Sequence, residues 1–210
     1  AQDLVFDQPR AIAADDEVQR ILALCGPGLV EPMLHDQTVR FVSGGELGRI
    51  QFPYVEGYCG LAFFHQPSLE RTLRSLVKAD VRLGLELTGF RQDATGVQVQ
   101  LGAERVRCSW LVGCDGAGST VRRLAEIPWQ GRDLPQTWRV IDAIGRYRDG
   151  FTYTCSAQLP AVDMPMPGGH RWEFLLRPGA VAPAVPLEVL RSVDYRFGAR
   201  RAATWRRGRV

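Results

Sequence analysis

A short glycine-rich turn carries the residues with the clearest chemical potential. Val112 is followed by Gly113-Cys114-Asp115-Gly116-Ala117-Gly118 and then by Ser119 and Thr120. Glycines let a ligand approach the bare backbone, and a carboxylate such as that of Asp115 accepts hydrogen bonds from sugar hydroxyls. Ser119 or Thr120 is a typical N-cap, so we expect a helix whose first N–H groups are open to an anion. The pattern suits a ligand that carries a phosphate and a sugar.

The spacing of the glycines limits what this turn can be. They stand at positions 113, 116 and 118, which is not the order of GxGxxG, and no GKS or GKT follows them. Neither a Rossmann fingerprint nor a P-loop is therefore predicted. A plain connection between a strand and a helix stays open as the alternative to a ligand site.

Helices and strands of recognisable period must position the turn. Apolar residues at helical spacing predict a helix over 15–25, and a second begins at Pro67. In the first helix the expected apolar side is Val18, Ile21, Leu22 and Cys25.

Alternation along the chain predicts two sheets. A three-stranded antiparallel meander should run from Val81 to Val112, with its last stretch covered on both faces. A hairpin around Ser43-Gly44-Gly45 and β-like segments later in the chain indicate a second sheet; these segments are 138–144, 151–159, 170–176 and 189–197.

Composition describes an ordinary globular chain of one generous domain or two small ones. Of 210 residues 45% are hydrophobic, and the net charge is +3, from 26 basic and 23 acidic side chains. That excess is too small to predict nucleic-acid binding, and the arginines of 200–209 are interpreted as a solvated helix face. No run of 18 apolar residues and no secretory signal is present, so no membrane span is predicted.

The five cysteines are scattered and include no CxxC pair. They indicate neither a disulfide framework nor a metal site, and a reducing cytoplasm fits them best. Burial beneath the turn is the expectation for Cys114.

Five segments together resemble one enzyme family, in the same order along the chain. The segments are Pro9-Arg10-Ala11 with Asp15-Asp16-Glu17, Phe64-His65-Gln66-Pro67 with Leu69-Glu70, 112–122, 168–174, and 195–210. They are similar to flavin-dependent aromatic hydroxylases of the para-hydroxybenzoate hydroxylase type, within which 3-(3-hydroxyphenyl)propionate hydroxylases are most similar. The resemblance spans essentially the whole chain.

The family's fold is α/β, which in this portion reads as α+β: part of an FAD/NAD(P)-binding fold with an antiparallel meander and a mixed sheet over the substrate. By resemblance, residues 1–38 and 59–127 belong to the FAD-binding domain. Residues 39–58 and 128–197 belong to the substrate-binding sheet domain, and 198–210 return toward the first domain.

Six positions match residues that bind the cofactor in the family: Arg10, Gln66, Asp115, Gly116, Ser119 and Arg122. Arg10 matches an arginine that lies along the flavin, and Gln66 a glutamine at the ribityl chain. The pair Asp115-Gly116 matches residues near the pyrophosphate, where NAD(P)H is thought to approach. A guanidinium for the dianionic pyrophosphate agrees with this chemistry.

The resemblance implies an FAD- and NAD(P)H-dependent monooxygenase that hydroxylates a small phenolic substrate through a flavin C4a-hydroperoxide. The flavin performs the difficult steps, so no catalytic side chain is predicted. No metal, nucleic acid or membrane is expected as a partner, and the oligomeric state stays open.

The sequence also departs from the family pattern. It contains neither the family's GxGxxG unit nor its Gly-Asp segment, and the span between Pro178 and Val189 is shorter than the family suggests. We therefore expect an internal or truncated portion of a longer enzyme, in which FAD binding by these residues alone is in question. The alternatives are a flavin-free paralogue that acts as a binding module, and a fragment that works only with other chain segments.

Other noticeable side chains receive structural interpretations. His65 and His170 are expected to make structural hydrogen bonds rather than to act in catalysis. Trp172 and Phe174 could line an aromatic pocket, but packing within a sheet explains their alternation at least as well.

Overall fold

The computed structural model describes residues 7–35 and 38–210. They form two compact units: residues 80–134 and 198–210 in the first, and residues 7–35, 38–79 and 135–197 in the second. These are packing units, and the functional domains proposed from the resemblance stay a prediction. Within the described residues no helix is both long and apolar enough to cross a membrane.

Short helices and many strands alternate along the chain. In order, the described elements are β1 (Ala13–Ala14), α1 (Asp16–Cys25), β2 (Thr38–Val42), β3 (Glu46–Gln51), β4 (Tyr54–Val55), β5 (Tyr58–Cys59), β6 (Ala62–Phe63), α2 (Gln66–Leu76), β7 (Leu87–Gln92), β8 (Val97–Leu101), β9 (Glu104–Cys108), α3 (Thr120–Leu124), β10 (Trp129–Ile144), β11 (Phe151–Thr154), β12 (Ala161–Met166), β13 (Gly169–Leu176) and β14 (Val189–Ala202).

Helix α1 confirms the predicted position and part of the predicted apolar side. Asp15 caps it by accepting the N–H of Val18 at 2.8 Å, and it ends at Gly26. The side chain that points inward is Gln19, which is fully buried and donates from Nε2 to the carbonyl of Cys59 at 2.6 Å. Of the expected apolar side, Leu22 packs against the core that includes Met33, whereas Val18 is 44% exposed and Ile21 55%. A buried carbonyl that needs a donor outweighs the apolar pattern at this contact.

Helix α2 confirms the prediction of a helix with Pro67 in its first turn. Pro67 is buried there, where its missing N–H costs nothing. Leu69 packs against a small core that includes Met33 and Phe64. This packing fixes the start of the helix, and with it Gln66.

The larger sheet is mixed. Its order is β14-β10-β13-β12-β11-β2-β3, in which β11 and β2 are parallel. The hairpin predicted around Ser43–Gly45 joins β2 to β3. Strand β12 was not predicted. Pro165 lies inside it, opposite His170 of β13, and β11 pairs only with 161–163, so the proline sits beyond that second partner.

The two faces of this sheet differ in chemistry. Ile141, Ala143, Trp172 and Phe174 form an apolar cluster on one face, onto which side chains of the segment 182–187 pack. Residues of the other face alternate with them and include Asp142 and Arg171, which are direct cross-strand partners in β10 and β13. Packing within the sheet thus accounts for Trp172 and Phe174.

In the first unit, β7, β8 and β9 form the predicted antiparallel meander. Its first strand begins at Leu87 rather than near Val81. Beyond Cys108 the chain leaves the ladder, and Trp110 is 50% and Val112 77% exposed. The prediction that this stretch is covered on both faces is therefore wrong, because residues 109–112 lie outside every strand of the described residues.

The arginine-rich end of the chain is not a helix face, contrary to the expectation. Strand β14 continues through Arg200, which forms a two-pronged ion pair with Asp133 at 2.8 and 2.7 Å. Farther on, the guanidinium groups of Arg206 and Arg209 lie 4.7 and 5.1 Å from the ring centre of Trp110. Cation–π contacts thus engage two of the arginines that composition alone assigned to solvent.

Candidate functional site

The turn around Asp115 is built as a helix cap. Oδ2 of Asp115 accepts the N–H groups of Thr120 at 2.6 Å and Val121 at 3.1 Å, and Oγ of Ser119 accepts that of Arg122 at 2.9 Å. The first three N–H groups of α3 are therefore already paired, and the expectation that they are open to an anion is wrong. The sequence contained the signal for this, because aspartate and serine both prefer such positions.

The pKa of the Asp115 carboxyl lies below its ordinary value. Partial burial raises this pKa, but hydrogen bonds from Ser119 and from the backbone N–H groups of Val121 and Thr120 outweigh it. The carboxylate therefore stays ionised at neutral pH. In that form it is a hydrogen-bond acceptor only.

The backbone of the turn is open to an approaching group at two glycines. A Cβ added at Gly116 or Gly118 would meet no atom within 4 Å, and Gly116 has a positive φ of 78°. Gly113 is different, since a Cβ there would lie 2.8 Å from Cβ of Val121. Gly113 thus lets the chain pack closely against Val121 of α3, while residues 116–118 present bare backbone.

The side chain of Arg122 is held by contacts with nearby residues of the chain. Its Nη1 donates to the carbonyl of Ile127 at 3.1 Å, and its guanidinium lies 5.0 Å from the ring centre of Trp129. Its Nε is buried and has no hydrogen-bond partner among the described residues. Its assignment to the cofactor-binding residues remains a prediction.

In the second unit, the structure brings Arg10 and Gln66 together across 56 positions of sequence. Oε1 of Gln66 accepts the backbone N–H of Arg10 at 2.7 Å and that of Ala11 at 2.9 Å. Two donors fix the orientation of the amide, so Nε2, which only donates, is the end left for another group. Because Gln66 opens α2, the helix position sets the position of the 10–11 backbone.

Beside this contact lies a cavity of about 580 Å³ whose wall includes Arg10 and residues of β10, β13 and β14. Tyr195 and Phe197 supply aromatic surface, and Arg171 and Glu173 supply charge. A largely apolar hollow with a few convergent polar groups, in the size range of small-molecule sites, is the usual form of a ligand pocket.

Glu173 has a perturbed carboxyl in this cavity. Burial raises the pKa of Glu173, the nearby Arg171 guanidinium lowers it, Asp142 raises it further, and the net shift is upward. Glu173 can therefore hold a proton nearer to neutral pH than an ordinary glutamate.

Sequence reasoning gave no role to Arg171, Glu173, Asp142 or Arg191. The available signal was charge inside apolar strands: Arg171 and Glu173 alternate with Trp172 and Phe174 in β13. Such an alternation is expected where a strand places charged side chains on the wall of a cavity.

The remaining highlighted side chains take structural places or are exposed. Nε2 of the buried His170 lies 3.2 Å from Oδ1 of Asp163, and Nδ1 of His65 lies 2.9 Å from Oγ of Ser68. Cys114 is exposed, so the expected burial beneath the turn is wrong.

A family model and several curated proteins match this chain. Residues 31–157 match the model of a family described as FAD binding domain. A 3-(3-hydroxy-phenyl)propionate/3-hydroxycinnamic acid hydroxylase of Paraburkholderia xenovorans is 32% identical, over 98% of this chain and 39% of the relative. A protein of the same name from Comamonas testosteroni is 31% identical, over 83% of this chain and 33% of the relative.

Solved structures show the same fold. The p-nitrophenol 4-monooxygenase of Pseudomonas putida superposes with a TM-score of 0.80 at 19% identity, over 99% of this chain and 63% of that one. Aklavinone-11 hydroxylase, in a ternary complex with FAD and aklavinone, gives a TM-score of 0.76 at 22% identity, over 99% and 50%.

The mixed α/β architecture and its likeness to these solved structures confirm the predicted fold class. The chain belongs to the FAD binding domain family, and its predicted similarity to aromatic hydroxylases is confirmed by these relatives. It spans 39% of the length of the Paraburkholderia relative.

The residues present fit FAD. The exposed guanidinium of Arg10 suits an electron-rich group of the flavin, and Nε2 of Gln66 suits hydroxyl oxygens of the ribityl chain. In the other unit, Asp115 offers a carboxylate, and Gly116 and Gly118 offer bare backbone. Both groups of residues therefore carry the chemistry that the cofactor requires.

Proposed function

We propose that this chain contributes a substrate cavity and cofactor contacts to an FAD-dependent monooxygenase that hydroxylates a small phenolic substrate, with NAD(P)H as reductant. FAD, when bound, supplies the redox and oxygen chemistry. The protein's share is to bind, orient and exclude water. Five free cysteines agree with action in the cytoplasm.

One observation carries the proposal. Gln66 and Arg10 both match cofactor contacts of the family, and Oε1 of Gln66 accepts the backbone N–H groups of Arg10 and Ala11, which line the cavity of about 580 Å³. The relatives named as hydroxylases of 3-(3-hydroxy-phenyl)propionate support a phenolic substrate.

The cavity suits an aromatic ring with a polar substituent. Tyr195 and Phe197 are 51% and 40% exposed and offer aromatic faces against which a ring can pack. Glu173, with its raised pKa, can exchange a proton with a phenolic hydroxyl in hydrogen-bond reach. Arg171 holds positive charge close to that carboxyl, at 3.9 Å.

A spectroscopic titration tests the proposal. The purified chain is mixed with FAD, and unbound FAD is removed. The visible absorbance and the flavin fluorescence of the protein are then recorded. Arg10→Ala should weaken binding, whereas Arg49→Ala, which removes an exposed guanidinium paired with Glu46 on β3, should leave it unchanged. Chain that stays colourless, or equal binding by both variants, contradicts the proposal.

A turnover assay follows for chain that binds flavin. Oxidation of NADH and of NADPH, and oxygen uptake, are measured with 3-(3-hydroxyphenyl)propionate as probe. We expect ring hydroxylation of the probe, detected as a product heavier by one oxygen. Reductant consumption without any hydroxylated product refutes the monooxygenase assignment for this probe class.

A flavin-free binding module is the second candidate. It is favoured by the internal pairing of the α3 N–H groups with Asp115 and Ser119, which leaves them no need of a phosphate. A colourless chain that still binds the phenolic probe, measured by calorimetry, supports this candidate.

A further inference from the structure

The backbone of residues 9–11 is held by side chains on both of its edges. On the carbonyl edge, Arg171 donates from Nη2 to the oxygen of Pro9 and from Nη1 to that of Arg10, both at 2.7 Å. Arg191 donates from Nη1 to the same Pro9 oxygen at 2.6 Å. Each is a hydrogen bond from a cation, which is stronger than one between neutral groups.

On the amide edge, Gln66 accepts both N–H groups, those of Arg10 and Ala11. Neither residue belongs to a helix or strand. Secondary structure therefore does not fix this segment, and the side chains of α2, β13 and β14 do.

A single carboxylate keeps the two arginines in place. Asp142 is fully buried and accepts from Nε of Arg171 at 2.6 Å and from Nη2 at 3.0 Å. Nη1 of Arg191 lies 3.6 Å from its Oδ2. Arg171 is only 3% exposed, so without Asp142 its charge would be buried with no direct counterion closer than Glu173 at 3.9 Å.

We propose that Asp142 is a positioning residue: by pairing with Arg171 and Arg191 it fixes the backbone of residues 9–11, and thereby the point from which Arg10 meets the ligand cavity. The inference deepens the proposed function and rests on it, because Arg10 is the cofactor contact that gains from being fixed. Asp142 itself acts only through the two arginines.

The chain offers a matched control on the opposite face of the same sheet. Asp163 is 3% exposed and accepts from Nε of Arg148 at 2.8 Å and from Nη2 at 2.6 Å. Asp163→Asn and Asp142→Asn thus each remove one buried carboxylate from a two-pronged arginine pair. Both should lower the melting temperature, but only Asp142 contacts the arginines that hold residues 9–11.

Hydrogen exchange at the amides of Arg10 and Ala11 tests the positioning without any flavin. We expect Asp142→Asn to speed their exchange at least about tenfold, equal to about 1.4 kcal/mol, and Asp163→Asn to leave it unchanged. FAD titration of the same proteins should show weaker binding for Asp142→Asn alone. Equal exchange at the two amides in both variants overturns the proposal.

The two readouts separate failure of the inference from failure of the proposed function. Faster exchange in Asp142→Asn, in a chain that binds no flavin in any form, supports the positioning and refutes the cofactor role. Should Asp142→Asn fail to fold, Arg191→Gln is the second variant, because Arg191 is half-buried and provides one of the two bonds to Pro9. It should speed exchange of the same amides, and unchanged exchange there overturns the proposal.

Discussion

The three glycines of the Asp115 turn lead to a graded prediction, because each is required for a different reason. Alanine at Gly113 places Cβ 2.8 Å from Cβ and 2.9 Å from Cγ1 of Val121. Valine is stiff at χ1, so this neighbour yields only by a shift of α3. Alanine at Gly116 meets no atom but must adopt a φ of 78°, and alanine at Gly118 meets neither obstacle.

The magnitudes follow from these contacts. Overpacking at Gly113 should cost about 2 kcal/mol, and a left-handed alanine at Gly116 about 1 kcal/mol. Gly118→Ala should change the free energy of unfolding by less than about 0.5 kcal/mol. For a chain of this length, about 1 kcal/mol corresponds to roughly 2–4 °C in melting temperature.

Urea unfolding and thermal melts of the three variants measure these costs, and FAD titration of the same samples measures the ligand. We expect the loss of stability to be smallest for Gly118→Ala, larger for Gly116→Ala and largest for Gly113→Ala. Gly118→Ala should nevertheless bind FAD more weakly than the parent chain. Such a split assigns Gly118 to close approach by a ligand. Loss of stability at Gly118 as large as at Gly113 would refute the geometry, and unchanged FAD affinity would remove Gly118 from the site.

Three further variants probe single groups. Glu173→Gln should melt higher than the parent chain at pH 8, with the gap closing toward pH 4. The reason is that the pKa of Glu173 is higher in the folded than in the unfolded chain. Its contribution to stability is therefore complete below the unfolded-state pKa and is lost as the pH rises through the folded-state pKa. A difference in melting temperature that stays constant across pH would contradict this. Asp115→Ala should lose the acceptor of two helix N–H groups and about 1 kcal/mol in urea unfolding at pH 7, a loss that shrinks as pH falls through the lowered pKa of that carboxyl; a constant loss would argue against the ionised cap. Ser119→Ala should cost about 1 kcal/mol in the same assay, with Ser119→Thr as the control that keeps the hydroxyl; equal cost for both would show that the hydroxyl is not the cap.

Local patterns predicted elements well where the physics is local. Three features are each decided within one helical turn, and the structure shows them where the sequence indicates them: Pro67 in the first turn of α2, the start of α1 at Asp15 and the Ser119 cap of α3. Turn glycines likewise indicated the hairpin between β2 and β3.

Errors arose where a partner distant in sequence decides burial. Gln19 points inward because the carbonyl of Cys59, 40 positions away, needs a donor. Val112 is exposed because the strand ladder ends at Cys108, which no periodicity reveals. Strand β12 was missed, and its Pro165 is tolerated because β11 stops short of it.

The candidate site shows the same division. Resemblance supplied Arg10 and Gln66, and the structure joined them. Their supporting charges, Asp142 and Arg171, are 29 positions apart and become partners only through the register of β10 with β13. Cross-strand register of this kind depends on the whole sheet, so single-sequence reasoning could not supply it.

The committed oxygen of Gln66 has a consequence for selectivity. With Oε1 engaged by two peptide N–H groups, the side chain offers an incoming molecule hydrogen atoms and no lone pairs. A molecule that presents an ammonium or another N–H at this point finds no acceptor, whereas one that presents an oxygen accepts a hydrogen bond from Nε2. Exchange of Gln66 for glutamate would reverse that preference and place a negative charge where an electron-rich ligand is expected.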